Sequence, residues 1–401
     1  MKSLKILTLP LVGLSVFLNP FLRPQELHHV TGVINVEVPV RVFDGGKFVD
    51  DLTLKDFEVF ENGVPQKIVA LYLVRKAGIQ KEEMAGPEAA KPAPKTKRTI
   101  VMQFEVVDPM PKLDEAVDFF FSEVLQPEDS LTIITPRTTY RFKPEALARL
   151  PRQQIAGQLK SKLRKDILAG ATEYKRLLRD FQYVLIRTDL DPDLQLNMLQ
   201  SILRQLRDRI GIDEAGLRRT AQALKAMEGQ KYIFLFYERE LINSVSFGNF
   251  GWESLDQSER SLDDMAQMDL RRDLTFDPKV IKQIFSDASI TVHFIYLTQS
   301  KINAGNLDTE NQLLGADLQA KDLSSSLYMS FREMARATGG VSEASANPFA
   351  SFRKAATAME NYYLLYYVPE NYRADGKFKE IKVGVKGKRF QVTHRAGYFA
   401  N

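Results

Sequence analysis

Between Val36 and Val42 the chain reads VEVPVRV, with valine at every second position. That period belongs to a strand with one face buried. The next segment, DGGKF, predicts a hairpin turn, because paired glycines accept positive φ. LTLKDFEVFENGVPQKIVALYLV continues the β pattern with a short extended piece, an ENG turn and a further strand. Residues 75–97, RKAGIQKEEMAGPEAAKPAPKTK, then offer almost nothing to bury, and their Lys, Glu, Ala and Pro predict a mobile linker.

From Arg98 the pattern changes. TIVMQFEVV is a continuous apolar run, as a strand covered on both faces requires. A helix follows from about Lys112 to Leu125, then strands in DSLTIITP and YRFKP. Residues 145–228 carry apolar positions at three- and four-residue spacing and predict helices. QKYIFLFYE and SITVHFIYL read as buried strands, and PKVIKQIFSDA and SSLYMSFREMARATGG as helices, the last stopped by its paired glycines. The C-terminal segment from Tyr362 to Phe399 returns to three alternating strands.

The alternation of strand and helix predicts an α/β fold class: a doubly wound, mostly parallel sheet. The expected organisation is a leader over residues 1–25, a β segment over 30–74, the linker over 75–97, the α/β domain over 98–358 and a second β segment over 359–401. Neither β segment is large enough to fold alone, so the two are expected to pair into one small β domain interrupted by the α/β domain.

Charge alters this picture only at the N-terminus. The net charge is +4, but Lys2, Lys5 and Arg23 lie in the leader, and without them 52 basic residues face 51 acidic ones. No basic field of the size a nucleic acid needs is left over. Lys2 and Lys5 precede an apolar run from Ile6 to Leu18, too short to span a bilayer comfortably. The pattern is that of a secretory signal, with an uncleaved N-terminal membrane anchor as the alternative. The chain has no cysteine, which removes disulfides, thiolate catalysis and thiolate metal sites. The expected location is secreted, periplasmic or at the cell surface.

DLTLKDFEVFENGVPQKI, IVMQFEVVD, QPEDSLTIIT, GQKYIFLFYE, ARATGG and YYLLYYVPENYRADGKFKEIKVGVK occur in this order. The ordered set resembles the bacterial von Willebrand factor type A-related proteins of the acidobacterial type. The resemblance implies a von Willebrand type A fold with a ligand site at the carboxyl ends of the sheet strands. It also implies a divalent cation there, held by an Asp-x-Ser-x-Ser loop, a threonine and a further aspartate. Carried onto this chain, the two aspartate positions fall on Glu105 and Glu238 and the threonine on Thr172. The serine positions fall on Val107 and Pro109, which bring no side-chain oxygen, and Asp108 stands one residue away as a substitute. The implied metal site is therefore degenerate, and Mg²⁺ would find only three or four of its oxygen ligands. The plain alternatives are solvated or paired carboxylates and a helix-capping Thr172.

The four histidines form no metal or catalytic motif, and no nucleophile elbow, phosphate loop or dinucleotide fingerprint occurs. Asp189, Asp191 and Asp193 alternate like the start of a calcium loop but lack its glycine and distal glutamate. The loop NSVSFGNFGWESLDQ carries Phe247, Phe250 and Trp252, either as anchors for a protein partner or as a cover for the sheet edge. The expected function is an exported, non-enzymatic protein-binding or scaffold module without a cofactor. The alternatives are a cation-dependent adhesion module and a hydrolase using the strand-end cleft.

Overall fold

The structure is a computed structural model that describes residues 34–86, 92–106, 110–149, 151–185, 187, 189–210, 214–238, 242–246, 278–297, 317–321, 324–387 and 389–400. The N-terminal β region contains β1 (Val36–Asp44), β2 (Lys47–Phe48), β3 (Phe57–Glu61), β4 (Val64–Gln66), β5 (Ile68–Arg75) and β6 (Gly78–Met84). The middle of the chain contributes β7 (Arg98–Glu105), α1 (Pro111–Phe119), β8 (Ser130–Ile134), β9 (Thr139–Phe142), α2 (Pro144–Arg149), α3 (Arg152–Leu185), α4 (Pro192–Ile210) and α5 (Glu214–Lys225). It continues with β10 (Gln230–Glu238), β11 (Ile242–Ser246), α6 (Pro278–Asp287), β12 (Ile290–Leu297), β13 (Asp317–Lys321), α7 (Ser324–Ala337), β14 (Ser342–Ser345) and α8 (Pro348–Glu360). The chain closes with β15 (Asn361–Tyr367), β16 (Phe378–Val385), β17 (Gln391–His394) and β18 (Gly397–Phe399). Among the described residues no helix is long and apolar enough to cross a membrane.

The fold class expected from the sequence is overturned. A six-stranded sheet, ordered β17-β1-β15-β5-β6 with β2 on β1, is antiparallel throughout, as is a four-stranded sheet ordered β18-β16-β3-β4. With the antiparallel pair β11–β13, these hold twelve of the eighteen described strands, so the protein is not a doubly wound, mostly parallel sheet. The physical reason is that hairpins and pairings between distant segments need no helical crossover, and these segments are rich in both. Parallel pairs are confined to the remaining sheet, ordered β14-β12-β10-β7-β8-β9, whose last strand is antiparallel.

Strands from both ends of the chain share the six-stranded sheet: Val36 lies opposite Tyr367, and Val40 opposite both Tyr363 and His394. The valines at even positions of β1 turn inward with Phe57, Val59, Leu71, Tyr363 and Val383 to make the core between the two antiparallel sheets. β3 and β4 are joined by Asn62 and Gly63, with φ of 48° and 80°, the pair of positive values a tight hairpin turn requires. Part of the segment expected to be a mobile linker is instead the strand β6, paired to β5 along its length. Tyr72 on β5 also donates to the carbonyl of Pro92 at 2.8 Å, tying down the approach to β7.

The mixed sheet buries both faces. Met102, Phe104, Phe234 and Phe236 pack with α1, α3 and α8, while Val101, Ile233, Leu235 and Phe294 pack with α5, α6 and α7. Buried arginines join the layers. Arg41 donates from β1 to the carbonyls of Ala358 and Gly339, and Arg395 donates to the hydroxyl of Ser289 at 2.5 Å. Gly340 is needed where the chain passes β12, because a Cβ there would stand 1.9 Å from the carbonyl oxygen of Val292.

Candidate functional site

The parallel register places the ends of β7 and β10 side by side, with Glu105 directly opposite Tyr237. The pleat then separates the two glutamates. Glu105 follows the Tyr237 side of the sheet, the side of α5, α6 and α7, whereas Glu238 comes one residue later and follows the Phe236 side. Glu105 is exposed and accepts a hydrogen bond from Gln103 Nε2 at 2.8 Å, while Glu238 is fully buried. Desolvation by surrounding protein pushes the Glu105 carboxyl above its ordinary value, opposed by the Gln103 bond. Water reaches this residue, so the shift does not mark a buried acid.

Thr172 lies neither in a loop nor at a helix start. It sits inside the 34-residue α3, and its hydroxyl donates back to the carbonyl of Leu168 at 2.8 Å. The helical run extends far upstream of the threonine, which overturns the helix-cap reading. Asp108, with Val107 and Pro109, lies outside the described residues, as do Phe247, Phe250 and Trp252. Of the described members of the implied ligand set, the structure brings Glu105 and Glu238 to neighbouring strand ends and points them to opposite faces, with Thr172 inside α3. Among the described residues no group of three His, Cys, Asp or Glu side chains is placed to hold a metal ion.

The two described histidines are occupied by backbone. His293 is fully buried, its Nδ1 accepts from the Val341 N–H at 3.2 Å, and its ring stacks on Phe234. His394 Nε2 accepts from the Val383 N–H at 3.2 Å, and its Nδ1 faces the Arg395 carbonyl at 2.8 Å. Desolvation holds both imidazoles below their ordinary value.

A second place, which sequence reasoning missed, is a groove of about 380 Å³ where the chain crosses at Lys67 from β4 in one antiparallel sheet to β5 in the other. Its floor is apolar, from the buried Phe57, Val59 and Ile68. Its rim carries three exposed lysines, Lys55, Lys67 and Lys386, against one exposed carboxylate, Glu58. The turn bearing Leu54 and Lys55 is pinned by a capping box, in which the Thr53 N–H and hydroxyl both donate to Asp56 Oδ2 at 2.7 Å. The backbone bond from Thr53, with the hydroxyl bond second, holds the Asp56 carboxyl below its ordinary value. Leu54 N–H donates to Glu83 Oε2 at 2.7 Å, and Lys386 Nζ to the Lys55 carbonyl at 3.0 Å. The rim is therefore built rather than loose. Its sequence signal, lysines interleaved with strand residues on both sides of ENG, has no meaning until Lys386 arrives from 331 residues away.

Comparisons of the chain with protein-family models, with curated proteins and with solved structures find no match.

Proposed function

We propose that the protein is an exported, non-enzymatic binding module that grips an extended, acidic segment of a partner protein in the groove at Lys67. The observation that carries this reading is the charge of the groove, three lysines over one glutamate around an apolar floor. Apolar floors supply affinity, and rim charges choose the partner and its orientation. The groove borders the short edge strand β4, whose central Pro65 has no N–H to offer a further strand, so an extended segment is held there by side-chain contacts. The N-terminal Lys-apolar pattern supports export.

Panning a displayed random-peptide library on the full chain tests this reading. Selected peptides should combine acidic and apolar residues. Their binding should fall about tenfold or more, equivalent to ~1.4 kcal/mol, in Lys67→Glu/Lys386→Glu. Peptides without acidic residues, or binding unchanged in a variant with the native circular-dichroism spectrum, would refute the assignment.

A further inference from the structure

The positive charge of the chain is concentrated in one helix. α3 holds eight Lys and Arg against three Asp and Glu, a net +5, whereas the whole chain nets +4 and the remainder therefore −1. The helix is also divided lengthwise. At about 100° per residue, Ile155, Leu159, Leu163, Ile167, Leu177 and Phe181 fall on one arc, and all are buried. Arg164, Lys165, Lys175, Arg176 and Arg179 fall on the opposite arc and Lys162 at its border, and all are exposed.

None of the helix's acids neutralises that arc broadly. Asp166 is buried and accepts from the Thr135 hydroxyl at 2.6 Å, which pins the helix to the end of β8. Asp180 pairs with Arg176 at 2.9 Å, and Glu173 is half-buried and engaged. The other five bases of the stripe form no ion pair among the described residues. Two uncharged side chains stand on the same arc, Leu168 at 47% and Tyr183 at 58% exposure. Arg187, itself paired with Asp189, lies beside the Tyr183 ring, its guanidinium carbon 5.3 Å from the ring centre.

We propose that this stripe docks the protein on an anionic phospholipid surface. A helix held by its buried face presents the row from Lys162 to Arg179 over about 25 Å, at 1.5 Å per residue. Such a row matches a plane of repeated phosphates better than any single anion. Long Lys and Arg stems let the charges reach headgroups while Leu168 and Tyr183 meet the interface, where apolar and aromatic groups are favoured. Those two side chains favour a lipid surface over a nucleic acid. The proposal stands apart from the groove, which lies on the antiparallel sheets.

Flotation of the full chain with phosphatidylcholine vesicles and with 7:3 phosphatidylcholine–phosphatidylglycerol vesicles tests it. At about 50 mM salt the anionic vesicles should be preferred at least about tenfold, and about 500 mM salt should remove the preference by screening. Lys162→Glu/Lys165→Glu/Arg179→Glu should cut it about tenfold without changing the circular-dichroism spectrum or Tm, because all three side chains are exposed and none forms an ion pair among the described residues. The leader carries Lys2, Lys5 and Arg23 in both chains and favours anionic vesicles equally in each, so the difference between the native chain and the triple variant reads the stripe alone. The proposal is overturned by equal binding to both vesicles, or by a preference undiminished in the triple variant. Tighter binding to poly-glutamate or duplex DNA at equal charge concentration also overturns it.

Discussion

Replacing Arg41 with methionine tests whether a single buried cation holds the antiparallel sheets to the helices. Arg41 is 1% exposed, and among the described residues no carboxylate accepts from it. Its Nε donates to the carbonyl of Ala358, in the last turn of α8, and its Nη1 to the carbonyl of Gly339 at 3.0 Å, just past α7. Both helices thus turn their negative ends toward the guanidinium, which also lies 5.7 Å from the centre of the Tyr362 ring. The thioether side chain introduced by Arg41→Met would fill much of the space. It would leave two buried carbonyls without a donor, at about 1–3 kcal/mol each. Loss of the two helix-end interactions adds about 0.3–1 kcal/mol apiece. Against this, burial already pushes the guanidinium below its ordinary pKa, and Nη2 has no partner. Removing an under-satisfied buried charge returns about 1–3 kcal/mol. The net expectation is a loss of about 2–4 kcal/mol. Guanidinium-chloride unfolding followed by far-ultraviolet circular dichroism measures it. A loss below about 1 kcal/mol, or a gain, would refute the reasoning and show that desolvation outweighs the bonds.

Stability should fall as pH drops from about 8 to about 5.5, through the imidazole range. His293 and His394 are held below the ordinary imidazole value of about 6.5, so the unfolded chain binds more protons across that interval. Their contribution is complete above the unfolded value and is lost as pH falls toward the folded one; a urea midpoint that rises on acidification would contradict this. Glu105 and Glu360, raised by desolvation, act in the opposite sense but near the lower carboxylate range. Asp129→Ala should cost about 3–5 kcal/mol, because it strands the buried Arg98, which now donates to Asp129 at 2.8 and 2.5 Å. The double replacement Arg98→Met/Asp129→Leu should recover most of that loss in the same unfolding assay, and failure to recover would assign the cost to packing instead.

Local pattern was enough to find most of the described elements. Alternating valines in β1, the unbroken apolar run of β10 and the Asn62–Gly63 turn each act within a few residues, where period and turn chemistry decide the backbone. The same pattern misread β6, whose charged side chains suit an exposed edge strand as well as they suit a linker. The helical content of 152–185 is legible in its spacing, but its unbroken length is not, and Gly170 beside Thr172 suggests a break where the helix in fact runs on.

Taken alone, the order of residues set the periodicity of each element, and with it which side chains need burial. What each element pairs with was settled in three dimensions, because strand pairing depends on partners up to hundreds of residues away. That choice made twelve of eighteen described strands part of antiparallel sheets. It also sent Glu105 and Glu238 to opposite faces through a one-residue offset, and brought Lys386 beside Lys55 to complete a groove that neither segment contains alone. The basic arc of α3 needed both. The helical period aligns its charges, and the packing of the opposite arc, on the sheet-side core in its first half and beside α4 at its end, leaves them facing water.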